Sequence, residues 1–299
     1  MVQGRAVRRV MAATLLGILG VGVWASGPAA AGDDRVRVAA AFYPLVFAAE
    51  RIGGRRVSVT NLTPPGAEPH DLELTSKQRD EIEDADLVVV LGADFQPSVE
   101  QAARDRDRPT LEILRRRATD EDPHVWLDPS RMRVIATEVA DALTEIDPAG
   151  RTRYARNAQR LDADLEALDA RTRAGLADCE RRLLVTAHDS FGHFADAYDL
   201  DHEGASGRSP DSEPDPRRIA ALADLAARER LTTIFTENLV SPAVARTIAR
   251  EAGGLRTVVL NPLEGLTARE IDAGDDYLSV MDRNLTRIRA ALGCRDAAT

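Results

Sequence analysis

The chain has 299 residues, a formal net charge of −10 and 29% charged side chains. That acidity argues against nucleic acid or an anionic membrane surface as a partner. The length suits one large domain or two lobes of ordinary size. The chain opens with Arg5, Arg8 and Arg9, an apolar stretch from Met11 to Ala25, and small residues at Ala29-Ala30-Ala31. This pattern predicts a cleaved export signal over 1–31. The apolar stretch is too short and too rich in glycine to span a bilayer. Arg8-Arg9 fits a twin-arginine signal poorly, so the general export route is expected. No cysteine lies near the cleavage site. The mature protein is therefore expected in the periplasm or outside the cell, without a lipid anchor.

In the first half, Val36–Ala41, Val57–Leu62, Leu87–Leu91 and Thr110–Ile113 read as short buried strands. Pro44–Ile52, Ser76–Ala85 and Ser130–Glu145 read as helices among and after them. Asp147 and Pro148 then break the pattern, and a long helix is expected over Ala149–Ala177. Tyr154, Ala158, Leu161, Leu165, Leu168 and Thr172 recur at steps of four and three, which places one stripe on one face. Such a helix spans on the order of 40 Å and reads as a brace between two lobes. A coiled-coil helix is the alternative. In the second half, Leu183–Thr186, Thr232–Phe235 and Thr257–Leu260 are strand-like. Pro216–Arg228, Pro242–Ala252 and Tyr277–Leu292 are helical. Strands alternating with helices predict an α/β fold: two lobes of parallel sheet flanked by helices, joined by one long rigid backbone helix. The expected divisions are a signal peptide at 1–31, a first lobe at 32–148, the linking helix at 149–178 and a second lobe at 179–299.

The chain has two cysteines, Cys179 and Cys294. In an oxidising compartment they are expected to pair. The closed loop is long, which in the chain-entropy model stabilises the fold by roughly 3–5 kcal/mol. Two free buried thiols are the alternative.

Three of the five histidines sit in separate short motifs. His70 lies in GAEPHDLE, a loop stiffened by Pro64, Pro65 and Pro69. His124 lies in EDPHVWLDP beyond the fourth strand, and His188 lies in TAHDSFGHF directly after Leu183–Thr186. Ligands of open α/β sheets bind beyond the carboxyl ends of strands. Neutral imidazole is the commonest side-chain ligand for transition metals. The three histidines are therefore expected to meet on a metal ion between the lobes. A hydrogen-bonded structural role for each is the alternative, because they do not form a compact motif such as HExxH. His193 and His202 are assigned structural or solvated roles. For a fourth ligand, Glu237, Asn261 and Glu264 all lie at strand ends of the second half. Glu237 reads equally well as a hydrogen-bonding residue behind a ligand.

These motifs resemble the metal-binding solute receptors of bacterial ABC importers, the zinc/manganese group called cluster A-I. The resemblance runs through FYPL at Phe42–Leu45, GAEPHDLE, Asp86–Leu91 before GADF, and DPHVWLDP. It continues through the long helix, TAHDSFGHF, the EGL segment and Tyr277–Met281. It implies that His70, His124 and His188 hold the ion and that an ABC permease is the partner of a monomeric receptor. A histidine at position 188 resembles the zinc branch, whereas glutamate there resembles the manganese branch. Ligand chemistry agrees, since imidazole suits Zn2+ and added carboxylates favour Mn2+.

The chain departs from the family pattern twice. An aspartate usually stands where this chain has Asn261. The expected fourth ligand is therefore Asn261, with Glu264, Glu237 or a water as alternatives. Many zinc members carry a histidine-rich insertion before the second histidine, whereas Arg115–Asp122 is short and has no histidine. The expected function is a Zn2+ receptor and not an enzyme. Alternatives are a manganese or iron receptor of the same fold, and a secreted zinc hydrolase with three histidines and an open water position. A third is an adhesion protein on the same fold, for which a surface anchor is expected.

Overall fold

The computed structural model describes Met1 and residues 34–115, 122–210 and 214–295. Met1 apart, the export signal expected over 1–31 lies outside the described residues, as do residues 116–121 of the loop before His124.

Strands β1 (Val36–Ala40), β2 (Val57–Asn61), β3 (Leu87–Val90) and β4 (Thr110–Glu112) form a parallel sheet in the order β2-β1-β3-β4. The β3 run LVVV is buried at every position, as a strand covered on both faces requires. Val38 stands opposite Val59 and Leu87, and Val89 opposite Leu111. Parallel neighbours need crossovers. Helices α1 (Tyr43–Gly53), α2 (Ser76–Asp84) and α3 (Pro97–Asp105) supply them, and α4 (Pro129–Ile146) follows β4. Proline stands in the first turn of α1, α3 and α4, where its missing N–H costs nothing. Helix α2 opens on a reciprocal cap between Thr75 and Gln78.

Helix α5 (Arg151–Leu176) is 26 residues long, about 40 Å at 1.5 Å per residue. Tyr154, Leu161, Leu165, Leu168, Thr172 and Leu176 form its buried face. The stripe is the one expected, except that Ala158 is only half-buried. The turn Pro148–Gly150 before it is a 3₁₀ helix. The Asp147 carboxylate accepts Arg56 at 2.7 and 2.8 Å and the Tyr154 hydroxyl at 2.5 Å, which pins this corner.

Beyond α5, β5 (Leu183–Thr186) pairs in parallel with β6 (Asp201–Gly204), with α6 (Gly192–Ala197) between them. Helix α7 (Pro216–Arg228) leads to β7 (Thr233–Thr236), which pairs in parallel with β8 (Arg256–Val259) after α8 (Ala243–Glu251). Helices α9 (Ala268–Asp272) and α10 (Tyr277–Leu292) complete the described chain. Strand β6 reads DHEG and carries no hydrophobic run, so its pattern did not announce it. Its Gly204 runs so close to the next loop that a Cβ there would lie 2.5 Å from the Asp189 amide nitrogen.

From Arg35 onward the chain forms one compact unit. A large apolar cluster runs through β1, α1, α4, α5 and α10 and takes in Phe235, Leu260 and Leu263. A smaller cluster around Val185, Leu222, Ile234 and Ile248 lies beneath α7 and α8. Cys179 and Cys294 form a disulfide. It joins the point where the chain leaves α5 to the point where it leaves α10. Among the described residues no helix is long and apolar enough to cross a membrane.

Candidate metal centre

Each expected histidine stands beyond the carboxyl end of a strand. His70 lies between β2 and α2, His124 between β4 and α4, and His188 directly after β5. Parallel strands point their carboxyl ends the same way, so these loops gather at one edge. His124 and His188 are fully buried, and the His70 side chain is 9% exposed.

The loops bring the three imidazoles onto one carboxylate, that of Glu264. Glu264 Oε1 lies 3.1 Å from His124 Nε2, 3.1 Å from His188 Nε2 and 3.3 Å from His70 Nε2. His124 Nε2 and His188 Nε2 are 3.4 Å apart. One ligand atom from each of the four residues fits within a 4.8 Å group. A tetrahedral ion with bonds of about 2.0–2.1 Å sets its ligand atoms about 3.3 Å apart. The Glu264 contacts and the His124–His188 edge match that spacing. Glu264 Oε2 and Glu68 Oε2 are buried and unpartnered in the protein. Unpaired buried oxygens of this kind fit a site that receives a cation.

Both buried imidazoles are oriented from behind. His124 Nδ1 lies 2.6 Å from Asp122 Oδ1, which also accepts the His124 amide at 3.0 Å. His188 Nδ1 lies 2.5 Å from Glu237 Oε2, and Glu237 Oε1 accepts the His188 amide at 3.0 Å. A carboxylate only accepts, so each Nδ1 carries the proton and each Nε2 faces the centre. Both Glu237 oxygens are thus engaged by His188. Asp122 was not singled out by the sequence; its signal was an acid two residues before a proline-flanked histidine. His193 Nε2 contacts the Asp122 carbonyl at 2.8 Å. His202 bridges Asp189 at 3.2 Å and Thr186 Oγ1 at 2.7 Å.

Charge follows this geometry. Burial alone would raise the Glu264 carboxyl, but the His188 charge and bonds from all three histidines hold it well below the usual range. Burial opposes protonation of His188, yet the charges of Glu264 and Glu237 and their bonds push it well above its ordinary value. His124 is also raised, because bonds to Asp122 and Glu264 outweigh burial. Glu68, at the less buried side near His70, is pushed up to about 8 by burial and by the charge of Glu264.

The Asn261 side chain is engaged within the protein. Its side-chain oxygen accepts the Leu263 amide at 2.7 Å, and its side-chain amide donates to Glu270 Oε1 at 2.9 Å. Between Asn261 and Glu264, Leu263 has φ +60° and is fully buried. A bulky side chain in that left-handed region costs on the order of 1–3 kcal/mol. Tertiary bonds hold the turn. Trp126 Nε1 donates to the Pro262 carbonyl at 2.8 Å, and the Tyr277 hydroxyl donates to the Trp126 carbonyl at 2.6 Å. The Gly66 amide, near His70, donates to the Leu266 carbonyl at 3.0 Å. The loops bearing His70, His124 and Glu264 are therefore tied to each other before any ion enters.

The chain is similar to proteins named for zinc binding and zinc uptake. A family model described as "Zinc-uptake complex component A periplasmic" matches residues 38–291. The chain is 30% identical to the "High-affinity zinc uptake system protein ZnuA" of Bacillus subtilis over 89% of its own length and 90% of that protein. It is 30% identical to the "Zinc-binding lipoprotein AdcA" of Streptococcus pneumoniae over 86% of its own length. It spans only 56% of the AdcA chain, about half of that longer relative. The crystal structure of the Zn(II)-bound ZnuA-like domain of the same AdcA superposes with a TM-score of 0.75 at 30% identity, covering 88% of this chain and 100% of that one. The laminin-binding protein Lmb of Streptococcus agalactiae, described as having adhesin and metal transporting activity, superposes with a TM-score of 0.77 at 27% identity, covering 86% of this chain and 99% of that one. One relative is named a lipoprotein, so the comparisons do not support the expectation of an unanchored chain. By the family match and these likenesses, the chain belongs to the family of the periplasmic component A of zinc-uptake complexes, a receptor family and not an enzyme family.

Proposed function

We propose that this protein captures Zn2+ outside the cytoplasm, holds it on His70, His124, His188 and Glu264, and delivers it to an ABC-type permease. One observation carries the reading: three imidazole nitrogens face a single carboxylate oxygen at 3.1–3.3 Å in a largely buried centre. Three nitrogens and one oxygen form a ligand set that zinc accepts readily, whereas Mn2+ prefers more oxygen ligands. Four protein ligands also fit a carrier better than a hydrolase, which keeps a position open for water. Asn261, Glu237 and a water are set aside as fourth ligand in favour of Glu264. The same reading places the lobes at 32–148 and 179–299, with the linking helix at 149–178 between them and a signal peptide at 1–31 before them. The receptor acts as a monomer, has no role with nucleic acid, and resides in the periplasm or outside the cell.

The test is a metal titration of the purified chain. One Zn2+ per chain is expected, measured by elemental analysis after gel filtration and by competition with a coloured chelator. His188→Ala is expected to lose most of that affinity. Binding of Mn2+ with higher affinity than Zn2+ at equal conditions would overturn the choice of ion. Full zinc affinity in His188→Ala would overturn the site.

A further inference from the structure

We infer that Asn261 is a positioning residue for the metal: it holds Leu263 in its left-handed turn and so aims Glu264 at the three histidines. The inference rests on Glu264 being a ligand, as proposed above. Three observations carry it. Leu263 is a bulky residue with φ +60°, a conformation that residues other than glycine keep only when surrounding contacts enforce it. The contact on the amide of Leu263 itself is the Asn261 side-chain oxygen, at 2.7 Å. Asn261 is in turn held by both faces of its own peptide. Asn284 Oδ1 accepts its amide at 3.1 Å, and Asn284 Nδ2 donates to its carbonyl at 2.7 Å.

Glu270 completes the clamp. Its Oε1 accepts the Asn261 side-chain amide at 2.9 Å, while its Oε2 accepts the Thr267 amide and hydroxyl at 2.9 and 2.8 Å. Asn261 therefore needs one acceptor, for Leu263, and one donor, for Glu270. An amide supplies both and a carboxylate does not. Asparagine at this position is matched to the glutamate at 270, so Asn261→Asp alone sets two carboxylates against each other. Asn261→Asp combined with Glu270→Gln exchanges donor and acceptor and restores the bond. The neighbouring Trp126–Pro262 bond holds the same turn from the loop after β4.

A double-mutant cycle on Zn2+ affinity tests this, read by chelator competition on folded, metal-free protein. Asn261→Ala is expected to weaken Zn2+ binding about 10–100-fold, the usual effect of removing a residue that orients a ligand. In a Glu264→Ala background the same change is expected to cost less than about twofold, because the ligand that Asn261 aims is gone. The Asn261→Asp/Glu270→Gln pair is expected to return affinity to within about threefold of the starting protein, with Asn261→Asp alone well below it. If Asn261→Ala does not fold, Glu270→Ala, which removes the acceptor of the Asn261 side-chain amide, enters the same cycle with the same expectation. Equal losses with and without Glu264, or no loss at all, would overturn the positioning role. A Glu264→Ala variant that binds Zn2+ as tightly as the starting protein would instead overturn the ligand set itself.

Discussion

Glu237 grips His188 twice, through Nδ1 at 2.5 Å and through the backbone amide at 3.0 Å. The two bonds come from different oxygens of one carboxylate, so neither the ring nor its loop can turn without breaking one. The order imposed on His188 exists before metal binding and lowers the entropy lost when the ion arrives. Glu237→Ala is expected to weaken Zn2+ binding by about 10–100-fold while leaving the far-ultraviolet circular dichroism unchanged. Chelator competition measures this. An unchanged affinity would show that His188 needs no support from Glu237.

The raised values of His124 and His188 and the lowered value of Glu264 make two opposite pH dependences. In the metal-free protein, a raised histidine stabilises the fold below its unfolded value of about 6.5 and loses that contribution as pH rises through its folded value. Lowered Glu264 contributes above its unfolded value of about 4.3 and loses this only as pH falls through its folded value. The site thus supports the metal-free fold most between about pH 4.3 and 6.5. Zinc requires the imidazoles without their Nε2 protons, so its affinity is expected to rise with pH across the same range and beyond. Calorimetry in buffers of different ionisation enthalpy is expected to show proton release on Zn2+ binding at pH 7. Proton uptake would contradict the assignment.

The Cys179–Cys294 disulfide joins the chain just after α5 to the chain just after α10, and neither cysteine is among the metal-facing residues. Replacing both cysteines by serine is expected to lower unfolding stability by roughly 2–5 kcal/mol. Denaturant titration reads the loss. Zn2+ affinity of the folded variant is expected to stay within about twofold. A large loss of affinity would mean that the cross-link also sets the geometry of the metal centre.

Leu165 lies at the middle of the buried face of α5 and is fully buried. Leu165→Ala is expected to destabilise the protein by about 2–5 kcal/mol, the range for leucine removed from a packed core. Saturating Zn2+ is expected to recover about 4 kcal/mol at a concentration a thousand times the dissociation constant. Thermal melts with and without zinc test both figures.

The patterns carried by single elements were legible in the chain. The stripe of α5, the bounds of α7 and α10, and the valine-rich β3 all follow from periodicity and helix-start signals. Elements with weak patterns were not legible. Strand β6 is polar and forms beside β5, while α9 has only five residues and opens on a reciprocal cap between Thr267 and Glu270.

The chain by itself determined two lobes of alternating strands and helices, a brace between them, and three histidines at strand ends. Those features are local: a run of β-branched residues, a helical repeat, a side chain in a stiff loop. Which residue faces the three histidines is not local. Asn261 and Glu264 stand three positions apart on one loop, and composition favours neither. The tertiary structure decides between them through the left-handed turn at Leu263, held by the Asn261 side chain and by Trp126 from the loop after β4. That conformation is unfavourable for an isolated leucine, so only the contacts of the folded protein impose it.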